Sequence, residues 1–493
     1  MESNRDLKQQ ERSQYDAVVV GSGPNGLAAA IHLAIQGLSV KIFEASDTIG
    51  GGMRTKELTL PGLKHDICSA IHPMALSSPY LKLLPLHEFG LEWIHPDYPV
   101  AHPMDDEPAV IGYKNINETA ESLGPDGPVY KNLIGPLSEN WNSLTKDILS
   151  PLQIPSQPLK MARFGLSALQ PATRLVNKFK KARASALFGG MVAHSILPLD
   201  KVSTSAIGLV LSAAAHAVGW PMPKGGSQSI ANAMGKYFQS LGGEIETGTM
   251  VTHFDQLPRA RAVLFDLTPG QVVKIAGKKF PEEYVNKLKA FRYGAGVFKI
   301  DYALSRQVPW NDPECNKAGT VHLGGTFPEI AESEKDISLG KHPKKPYVLV
   351  SQQSNFDRSR TQDHKETLWA YCHVPNGSTV DMTKAIEDQI ERFAPGFRDT
   401  VIKRHTMNTA QMESYNSNYI GGDINGGAQD IWQLFTRPVS PFNPYSTPAK
   451  GIYFCSSSTP PGGGVHGMCG YHAAESVLKK EFRLSKKEIK FRI

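Results

Sequence analysis

The chain has 493 residues, about 40% of them hydrophobic, and its Lys and Arg residues outnumber Asp and Glu by only 53 to 47. This length and composition are enough for buried cores and two or three domains, and the weak positive charge gives no reason to expect nucleic acid as a partner. The five cysteines are scattered without a CxxC pair, which argues against a disulfide framework and predicts a reducing compartment.

The first 14 residues are polar, carry both signs of charge and contain no apolar segment. They are typical of neither a signal peptide nor a transit peptide. We therefore predict a disordered tail over residues 1–14 and a cytoplasmic protein, with a mitochondrial location left open for a eukaryotic source. The apolar run 205–220 is too short for a bilayer span and predicts a buried helix.

A strand, a glycine turn and a helix follow the tail. Residues 17–20 form a short, fully apolar run, as in a central parallel strand that is buried on both faces. Gly21, Gly23 and Gly26 come next with the spacing G-x-G-x-x-G, which allows a tight turn, close approach of the backbone to a pyrophosphate and close helix packing. The helix predicted over residues 27–36 directs its N-terminus at the phosphates.

The second predicted strand ends in Glu44, which lies 23 residues after Gly21. A carboxylate in this place is suited to accept a hydrogen bond from a ribose 2′-hydroxyl, and it argues against a 2′-phosphate. The alternative is a glycine-rich turn without a ligand. The order of strand, glycines, helix, strand and acid predicts a dinucleotide site.

The segment after Glu44, "EASDTIGGGMRT", contains Gly50, Gly51, Gly52 and Arg54. It resembles the second glycine pair of FAD enzymes in the amine-oxidase and phytoene-desaturase superfamily, and the resemblance implies FAD as the cofactor. Many members have an arginine directly after the glycine pair, whereas that position is Gly52 here. Contact between Arg54 and the pyrophosphate is therefore an expectation.

Residues 76–203 are rich in proline and polar residues and predict a mainly helical insertion. Within it, "ATRLVNKFKKARAS" (172–185) combines apolar residues with five cations and no acid. The cations are Arg174, Lys178, Lys180, Lys181 and Arg183. The pattern fits either a membrane-surface helix or an ordinary solvated helix face, so peripheral membrane association stays open.

The middle of the chain returns to the nucleotide domain. A helix predicted over residues 228–241 lies between two glycine pairs and leads into a strand at 244–247. This order resembles the same superfamily, in which the position of Val251 touches the adenine half of FAD. Relatives insert a β-hairpin after that valine, whereas here the chain passes almost directly to a strand predicted at 262–267.

Three alternating apolar segments follow, at 294–304, 346–352 and 366–374. Such segments are typical of an antiparallel sheet with one covered face. Residues 382–397 then show helical spacing of apolar side chains. We interpret this region as a substrate domain inserted into the nucleotide domain.

The C-terminal stretch "YFCSSSTPPGGGVHGMCGYHAAE" (453–475) permits three interpretations. Cys455, His466, Cys469 and His472 could be metal ligands, but their spacing fits no zinc pattern. A cysteine paired with His466 could be a nucleophile, yet Cys455 ends an apolar strand, where a small buried residue is ordinary. The third interpretation is a flavin motif.

The flavin interpretation accounts for more of the residues in this stretch. Thr459, Gly462, Gly464, Val465 and Gly467 match the C-terminal run of phytoene desaturases, so the resemblance covers nearly the whole chain in family order. "HDICSAIHPMA", "SNYIGGDINGG" and "GGGVHG" are most similar to the subgroup named for a pyridine nucleotide-disulfide oxidoreductase domain. Disulfide chemistry is not expected, because the chain has no CxxC.

The predicted fold class is α/β. The resemblance implies a Rossmann-type FAD-binding domain with a parallel sheet and a β-meander, formed by residues 15–75, 204–275 and 440–493. It also implies a helical insertion at 76–203 and an α+β substrate domain with an antiparallel sheet at 276–439.

The resemblance also implies the site residues, and no metal is expected. The cofactor-binding residues are Gly21, Ser22, Gly23, Pro24, Asn25, Gly26, Glu44, Ala45, Gly51, Gly52, Met53, Arg54, Ser69, Ala70, Ile71, Met250, Val251, Ser457, Gly464, Val465, His466 and Gly467. His466 and His72 are the catalytic candidates, because both lie in flavin-contacting segments. Tyr371, His373, Asn425 and Arg437 are candidates to line the substrate cavity.

The leading hypothesis is an FAD-dependent oxidoreductase that acts on a carbon–carbon bond of an apolar isoprenoid-like or fatty-acyl-like substrate, by hydride transfer with flavin N5. Desaturation, saturation and isomerisation all occur among relatives. One alternative is an amine-oxidase-like flavoenzyme, which predicts aromatic residues around the flavin and a lysine near N5. The other is a lipid or prenyl carrier with the fold of GDP-dissociation inhibitors.

Overall fold

The computed structural model describes residues 14–439, 443–485 and 487–491. The tail predicted over residues 1–14 lies outside the described residues except for Gln14, whose N–H donates to the carbonyl of Arg259 at 2.9 Å. Within these ranges, no helix combines the length and the apolar character that a membrane span requires.

The strands of the described residues are β1 (Tyr15–Val20), β2 (Val40–Phe43), β3 (Thr55–Glu57), β4 (Lys64–Asp66), β5 (Trp93–Ile94), β6 (Tyr98–His102), β7 (Val110–Gly112), β8 (Met222–Pro223), β9 (Glu244–Glu246), β10 (Ala260–Phe265), β11 (Gly296–Leu304), β12 (Ala318–Leu323), β13 (Val348–Ser351), β14 (Glu366–Val374), β15 (Val401–Met407) and β16 (Ile452–Phe454).

The α-helices of the same residues are α1 (Pro24–Ile35), α2 (Pro73–Ser77), α3 (Ile116–Ser122), α4 (Gly127–Glu139), α5 (Trp141–Ile148), α6 (Pro158–Ala168), α7 (Ala172–Leu175), α8 (Ala182–Ala193), α9 (Thr204–Ala217), α10 (Gln228–Ser240), α11 (Pro269–Ala276), α12 (Glu282–Lys289), α13 (Phe327–Ser338), α14 (Thr383–Phe393), α15 (Thr409–Tyr415), α16 (Ile431–Thr436) and α17 (Met468–Lys480).

Five strands form a parallel sheet in the order β16-β10-β1-β2-β9. Alternate residues of β1 belong to two cores. Ala17 and Val19 pack with α1, α10 and α17, whereas Val18 and Val20 pack with α11 and α12. Helices on both faces explain why the strand is apolar at successive positions. The predicted Rossmann-type parallel sheet is confirmed.

Seven strands form a second sheet in the order β15-β11-β14-β13-β12-β6-β7. Its neighbours are antiparallel except β12 and β6, where Thr320 lies opposite Val100 in a parallel pair. The sequence predicts an antiparallel sheet within 276–439. The sheet is mixed instead, because β6 and β7 join it from the insertion 76–203, which is therefore not only helical.

The β-meander predicted beside the parallel sheet is not found among the described residues. Residues 247–259, between β9 and β10, contain a single 3-10 turn at Phe254–Gln256. This connection is too short for additional strands, as the shortened segment after Val251 already indicates.

The basic segment 172–185 does not form one continuous helix. Helix α7 ends at Leu175, a 3-10 turn covers Val176–Lys178, and α8 begins only at Ala182. The side chains of Leu175, Val176 and Phe179 are buried in the protein core. The interpretation of this segment as a membrane-surface helix is corrected, because its apolar residues are already used inside the fold.

Buried ion pairs fasten the second sheet to the nucleotide-binding layer. The guanidinium of Arg360 is fully buried and donates to Asp66 Oδ2 at 2.6 Å and to Asp357 Oδ2 at 3.1 Å. Asp66 ends β4, and its other oxygen accepts the N–H of Ser227, which precedes α10, at 2.8 Å. Three segments distant in sequence are thereby held together around one cation.

Candidate functional site

One cavity of about 720 Å³ connects the glycine turn after β1 with the inner face of the seven-stranded sheet. Its first end is lined by the turns that follow β1, β2 and β10, which are carboxyl ends of parallel strands. Ligands of doubly wound folds bind at such an edge. Its second end is lined by Thr320, Leu349, Trp369 and Tyr371 of β12, β13 and β14.

The glycines of these turns allow close contacts between backbone segments of the protein. A Cβ added to Gly26 would lie 2.2 Å from the carbonyl oxygen of Gly21, and one added to Gly51 would lie 2.9 Å from Gly23 Cα. Gly21 also has φ +99°, a conformation that favours glycine. The N-terminus of α1 follows this turn, and helix N-termini favour negative charge.

Glu44 lies in the cavity wall at the end of β2 and is held in place by several donors. Its Oε2 accepts the N–H of Ser22 at 3.0 Å, and its Oε1 accepts the N–H of Ser46 and the guanidinium of Arg54, each at 2.9 Å. Arg54 is therefore ion-paired with Glu44, and its side chain also lines the cavity. This places both groups beside the position expected for a ribose and pyrophosphate.

Helix α17 brings the C-terminal glycine turn to the same cavity. Gly470 permits the close contact between α17 and α1, because a Cβ there would lie 1.8 Å from the carbonyl oxygen of Asn25. As a result, Gly464 and Val465 line the cavity opposite the N-terminal turn. Segments at the two ends of the sequence thus share one site.

The structure brings most of the predicted site residues together. The predicted cofactor residues in the cavity wall are Gly21, Ser22, Gly23, Pro24, Asn25, Glu44, Ala45, Gly51, Gly52, Arg54, Ser69, Ala70, Ile71, Met250, Val251, Ser457, Gly464 and Val465, and His72, Tyr371 and Asn425 line it as well. Gly26, Met53, His466, Gly467, His373 and Arg437 are not among the lining residues. The assignment of each residue to FAD or substrate remains a prediction.

His466 does not face the cavity, contrary to the sequence-based expectation. Its imidazole is buried, and Nδ1 accepts the N–H of Met468 at 3.0 Å at the start of α17. Burial lowers the pKa of His466 to about 4, so the ring is neutral at pH 7. The side chain caps the start of α17, and a catalytic role for His466 stays a prediction.

His373 and Arg437 also lie behind the cavity wall. Nδ1 of His373 contacts Glu334 Oε1 at 2.8 Å, with both side chains buried. The guanidinium of Arg437 donates to the carbonyls of Ser457 and Ala428 at 3.1 and 3.2 Å. Neither residue is among those that line the cavity, and their role in substrate binding stays a prediction.

His72 keeps its place among the site candidates. It lines the cavity, its Nε2 lies 2.8 Å from Ser227 Oγ, and its Nδ1 has no hydrogen-bond partner among the described residues. Burial lowers the pKa of His72 to about 4. Since the Ser227 hydroxyl donates to the carbonyl of Ser69, His72 Nε2 carries the proton, and the free Nδ1 can accept a hydrogen bond from a bound ligand.

His194 is a cavity residue that the sequence analysis does not identify. It follows α8, lines the second end of the cavity, and its Nε2 lies 3.1 Å from Nε2 of the buried His322 on β12. Burial lowers the pKa of His194 to about 3. A lone histidine after an apolar helix carries no sequence signal, and only the packing of α8 against β12 creates the pair.

Asp266 is a second cavity residue that is absent from the sequence-based predictions, although its place in the sequence indicates a role in the site. It follows directly on the apolar strand β10, and acids at carboxyl ends of parallel strands face the ligand edge. Its Oδ2 accepts the N–H of Gly26 at 2.9 Å, and the residue lines the cavity. Burial raises the pKa of Asp266 to about 7.

The metal and nucleophile alternatives find no support in the described part of the chain. No group of three or more His, Cys, Asp or Glu side chains there could hold a metal ion. Cys455 is buried, and burial raises the pKa of the Cys469 thiol to about 12. Neither cysteine is therefore a thiolate at neutral pH.

Comparison with known proteins agrees with this geometry. The fold and the cavity define a dinucleotide-binding α/β protein with an attached mixed-sheet domain, and residues 19–84 match the NAD(P)-binding Rossmann-like domain family. In an alignment of 555 positions, the chain is 24% identical to mouse pyridine nucleotide-disulfide oxidoreductase domain-containing protein 2. The alignment covers 95% of this chain and 94% of that protein.

Two further similarities extend over almost the whole chain. A limonene dehydrogenase polypeptide of Castellaniella defragrans is 21% identical over 529 residues, covering 95% of each protein. A solved structure of putrescine oxidase superposes with a TM-score of 0.60 at 16% identity, covering 95% of this chain and 99% of that one. Together these findings support the predicted FAD-dependent oxidoreductase superfamily and are consistent with FAD as the cofactor.

Proposed function

We propose that the protein desaturates, saturates or isomerises a carbon–carbon bond of an apolar, isoprenoid-like or fatty-acyl-like substrate. The observation that carries this proposal is the uncharged second end of the cavity. Leu211, Trp220, Leu349, Trp369 and Tyr371 line it. Such walls accept an apolar chain and exclude water from it.

The charged groups in the cavity wall all belong to the nucleotide end. They are Glu44 and Arg54, which lie between β2 and β3, and Asp266 and Lys274, which lie directly after β10 and in α11. A protonated amine bound at the second end would therefore have no carboxylate beside it, which is costly in a site of low polarity. This distribution favours a neutral substrate over an amine.

The lysine that the amine-oxidase alternative predicts near N5 is not supplied by β11. Lys299 lies opposite Tyr371 in the sheet, but its ammonium is ion-paired with Asp301, and neither residue lines the cavity. Trp369 and Tyr371 are perpendicular, with ring centres 5.0 Å apart. They form an aromatic wall of the second end.

The fit to FAD rests on the glycine turn that lines the cavity at the carboxyl end of β1, and on the buried Glu44 beside it. The chemistry that FAD supplies when bound is hydride transfer at N5. The residues of the second end hold an apolar chain and keep out water. His194 lines this end and contacts the buried His322 through Nε2, and we assign His194 the uptake of the proton lost from a substrate carbon.

Relatives support both an apolar substrate and its alternative. One relative is named as a limonene dehydrogenase, and one similar fold belongs to an enzyme named for putrescine, an amine. Anaerobic mixing of the purified holoprotein with an isoprenoid hydrocarbon, a long-chain acyl ester and putrescine separates the two. We expect loss of flavin absorbance with an apolar chain, and bleaching by putrescine alone would overturn the proposal.

The same preparation tests the carrier alternative. A protein that purifies without flavin absorbance and does not take up added FAD would be a carrier and not an oxidoreductase. His194→Phe keeps the cavity wall aromatic and removes the proton acceptor. We expect it to retain FAD and lose at least about tenfold in turnover, a small effect for general base catalysis.

A further inference from the structure

A row of apolar side chains faces solvent along helix α6. Leu159 and Leu166 are 87% and 75% exposed. With Ala162 and Leu169 they are spaced three or four residues apart, which places all four on one face of the helix. The opposite side of α6 carries Met161 and Phe164, which pack against the core. The helix is therefore apolar on both faces.

The exposed row continues onto the neighbouring loops. Ile154, in the loop before α6, is 90% exposed, and Leu152 is 68% exposed. Val202 is adjacent to Leu169, because the N–H of Ser203 donates to the carbonyl of Leu169 at 3.1 Å. We call Leu152, Ile154, Leu159, Leu166, Leu169 and Val202 the apolar surface. Exposed apolar side chains collected in one place indicate a docking site.

The segment that carries the apolar surface is rich in cations. Residues 149–203 contain eight Lys and Arg and one acid, Asp200, although the formal net charge of the whole chain is only +6. Lys160, Arg163 and Lys178 are exposed and line a groove of about 400 Å³ that borders α6. Asp147 also lines this groove, but its carboxylate accepts the N–H of Ser156 at 2.9 Å.

We propose that the apolar surface docks onto an anionic lipid bilayer, with α6 lying in the plane of the membrane interface. Leucines of the outer face would enter the boundary between headgroups and acyl chains, while the lysines and arginines contact the headgroups. A second copy of the chain is a poorer occupant, because a symmetric contact would bring the same cations face to face.

The docking surface is one helix away from the cavity. Helix α9 contributes Leu209 to the groove beside α6 and Leu211 to the uncharged end of the cavity. An apolar molecule dissolved in the bilayer would therefore be held close to the site. Docking itself does not rest on the proposed function, since it requires only the exposed leucines and their basic surroundings.

Vesicle sedimentation of the full-length holoprotein tests the proposal. The probes are vesicles of phosphatidylcholine alone and vesicles containing one third phosphatidylglycerol. We expect binding to the anionic vesicles that weakens with added salt, and a fall of at least about tenfold in the partition coefficient for Leu159→Ser/Leu166→Ser. Leu339→Ser is the matched control, because Leu339 is also exposed, at 59%, but follows α13.

Retained flavin absorbance and an unchanged thermal transition show that each variant is folded. The proposal is overturned if neither vesicle binds, or if the double variant binds as well as the parent. It is also overturned if light scattering shows an oligomer that Leu159→Ser/Leu166→Ser dissociates, because the apolar surface would then be covered by a second copy. Loss of binding only with Leu339→Ser would likewise contradict it.

Discussion

Gly470 lies where α17 crosses α1, and the structure leaves no space for a side chain there. A Cβ at this position would lie 1.8 Å from the carbonyl oxygen of Asn25 and 2.9 Å from the amide nitrogen of Ala29. Both are backbone atoms, so no rotamer change can relieve the contact. Helices α1 and α17 would have to separate by about 1.6 Å to reach ordinary contact.

This separation determines how much stability we expect Gly470→Ala to lose. Overpacking lowers the free energy of unfolding by about 1–3 kcal/mol. The higher helix propensity of alanine raises it by at most about 1 kcal/mol. The variant should therefore unfold at a lower temperature than the parent. Because α17 carries Gly464 and Val465 to the cavity, a shift of this helix should also weaken FAD retention by about tenfold, equivalent to about 1.4 kcal/mol.

The same substitution at Gly165 is the matched control. Gly165 lies inside α6, and a Cβ there would meet nothing within 4 Å, so Gly165→Ala should stabilise by up to about 1 kcal/mol. Thermal unfolding followed by circular dichroism and the ratio of flavin to protein absorbance measure both effects. If Gly470→Ala melts at or above the parent temperature with full FAD content, the packing argument is refuted.

Three further predictions concern the cavity and its supports. Glu44→Ala leaves Arg54 buried without its partner, so denaturant unfolding should show a loss of about 3–5 kcal/mol, and the protein should purify with little FAD. Burial raises the pKa of Asp266 to about 7, so the folded state keeps a proton that the unfolded state releases. Stability should therefore fall as pH rises from about 4 to 7, and Asp266→Asn should flatten this dependence in pH-resolved melts. His466→Leu leaves the Met468 N–H unpaired and should lower the free energy of unfolding by about 1–3 kcal/mol, whereas His466→Asn should keep both stability and turnover.

Each of these three predictions can fail in a specific way. A Glu44→Ala/Arg54→Met variant should recover stability but not FAD, so equal instability of the single and double variants would contradict the ion-pair reasoning. An unchanged pH dependence for Asp266→Asn would show that another group titrates. A loss of turnover in His466→Asn at full FAD content would return His466 to the catalytic residues.

The dinucleotide site was predictable because its residues follow local rules. Gly21, Gly23 and Glu44 stand at fixed distances after strands, so the chain order specifies where they meet. The acid at Asp266 follows the same rule after β10 and could have been recognised in this way. Sites built from turns at the carboxyl ends of parallel strands are the part of a cavity that sequence patterns can locate.

The substrate end was less predictable, because it is made where distant elements pack together. His194 becomes a cavity residue only through its contact with His322, 128 positions later. His466 lies in the C-terminal glycine turn and Arg437 follows α16. Their side chains bond backbone groups, the Met468 N–H for His466 and the Ser457 carbonyl for Arg437. Chain position does not specify such rotamers.

The sequence by itself determined the parallel sheet and the order of its glycine turns, since strand periodicity and turn chemistry act over a few residues. The resemblance of its motifs pointed to the flavin-oxidoreductase superfamily. Only the tertiary structure decided that β6 and β7 complete the second sheet, that the basic segment 172–185 breaks into short pieces, and that the leucines of α6 face solvent. These features depend on which faces of separate elements meet, and that is a property of packing over long sequence distances.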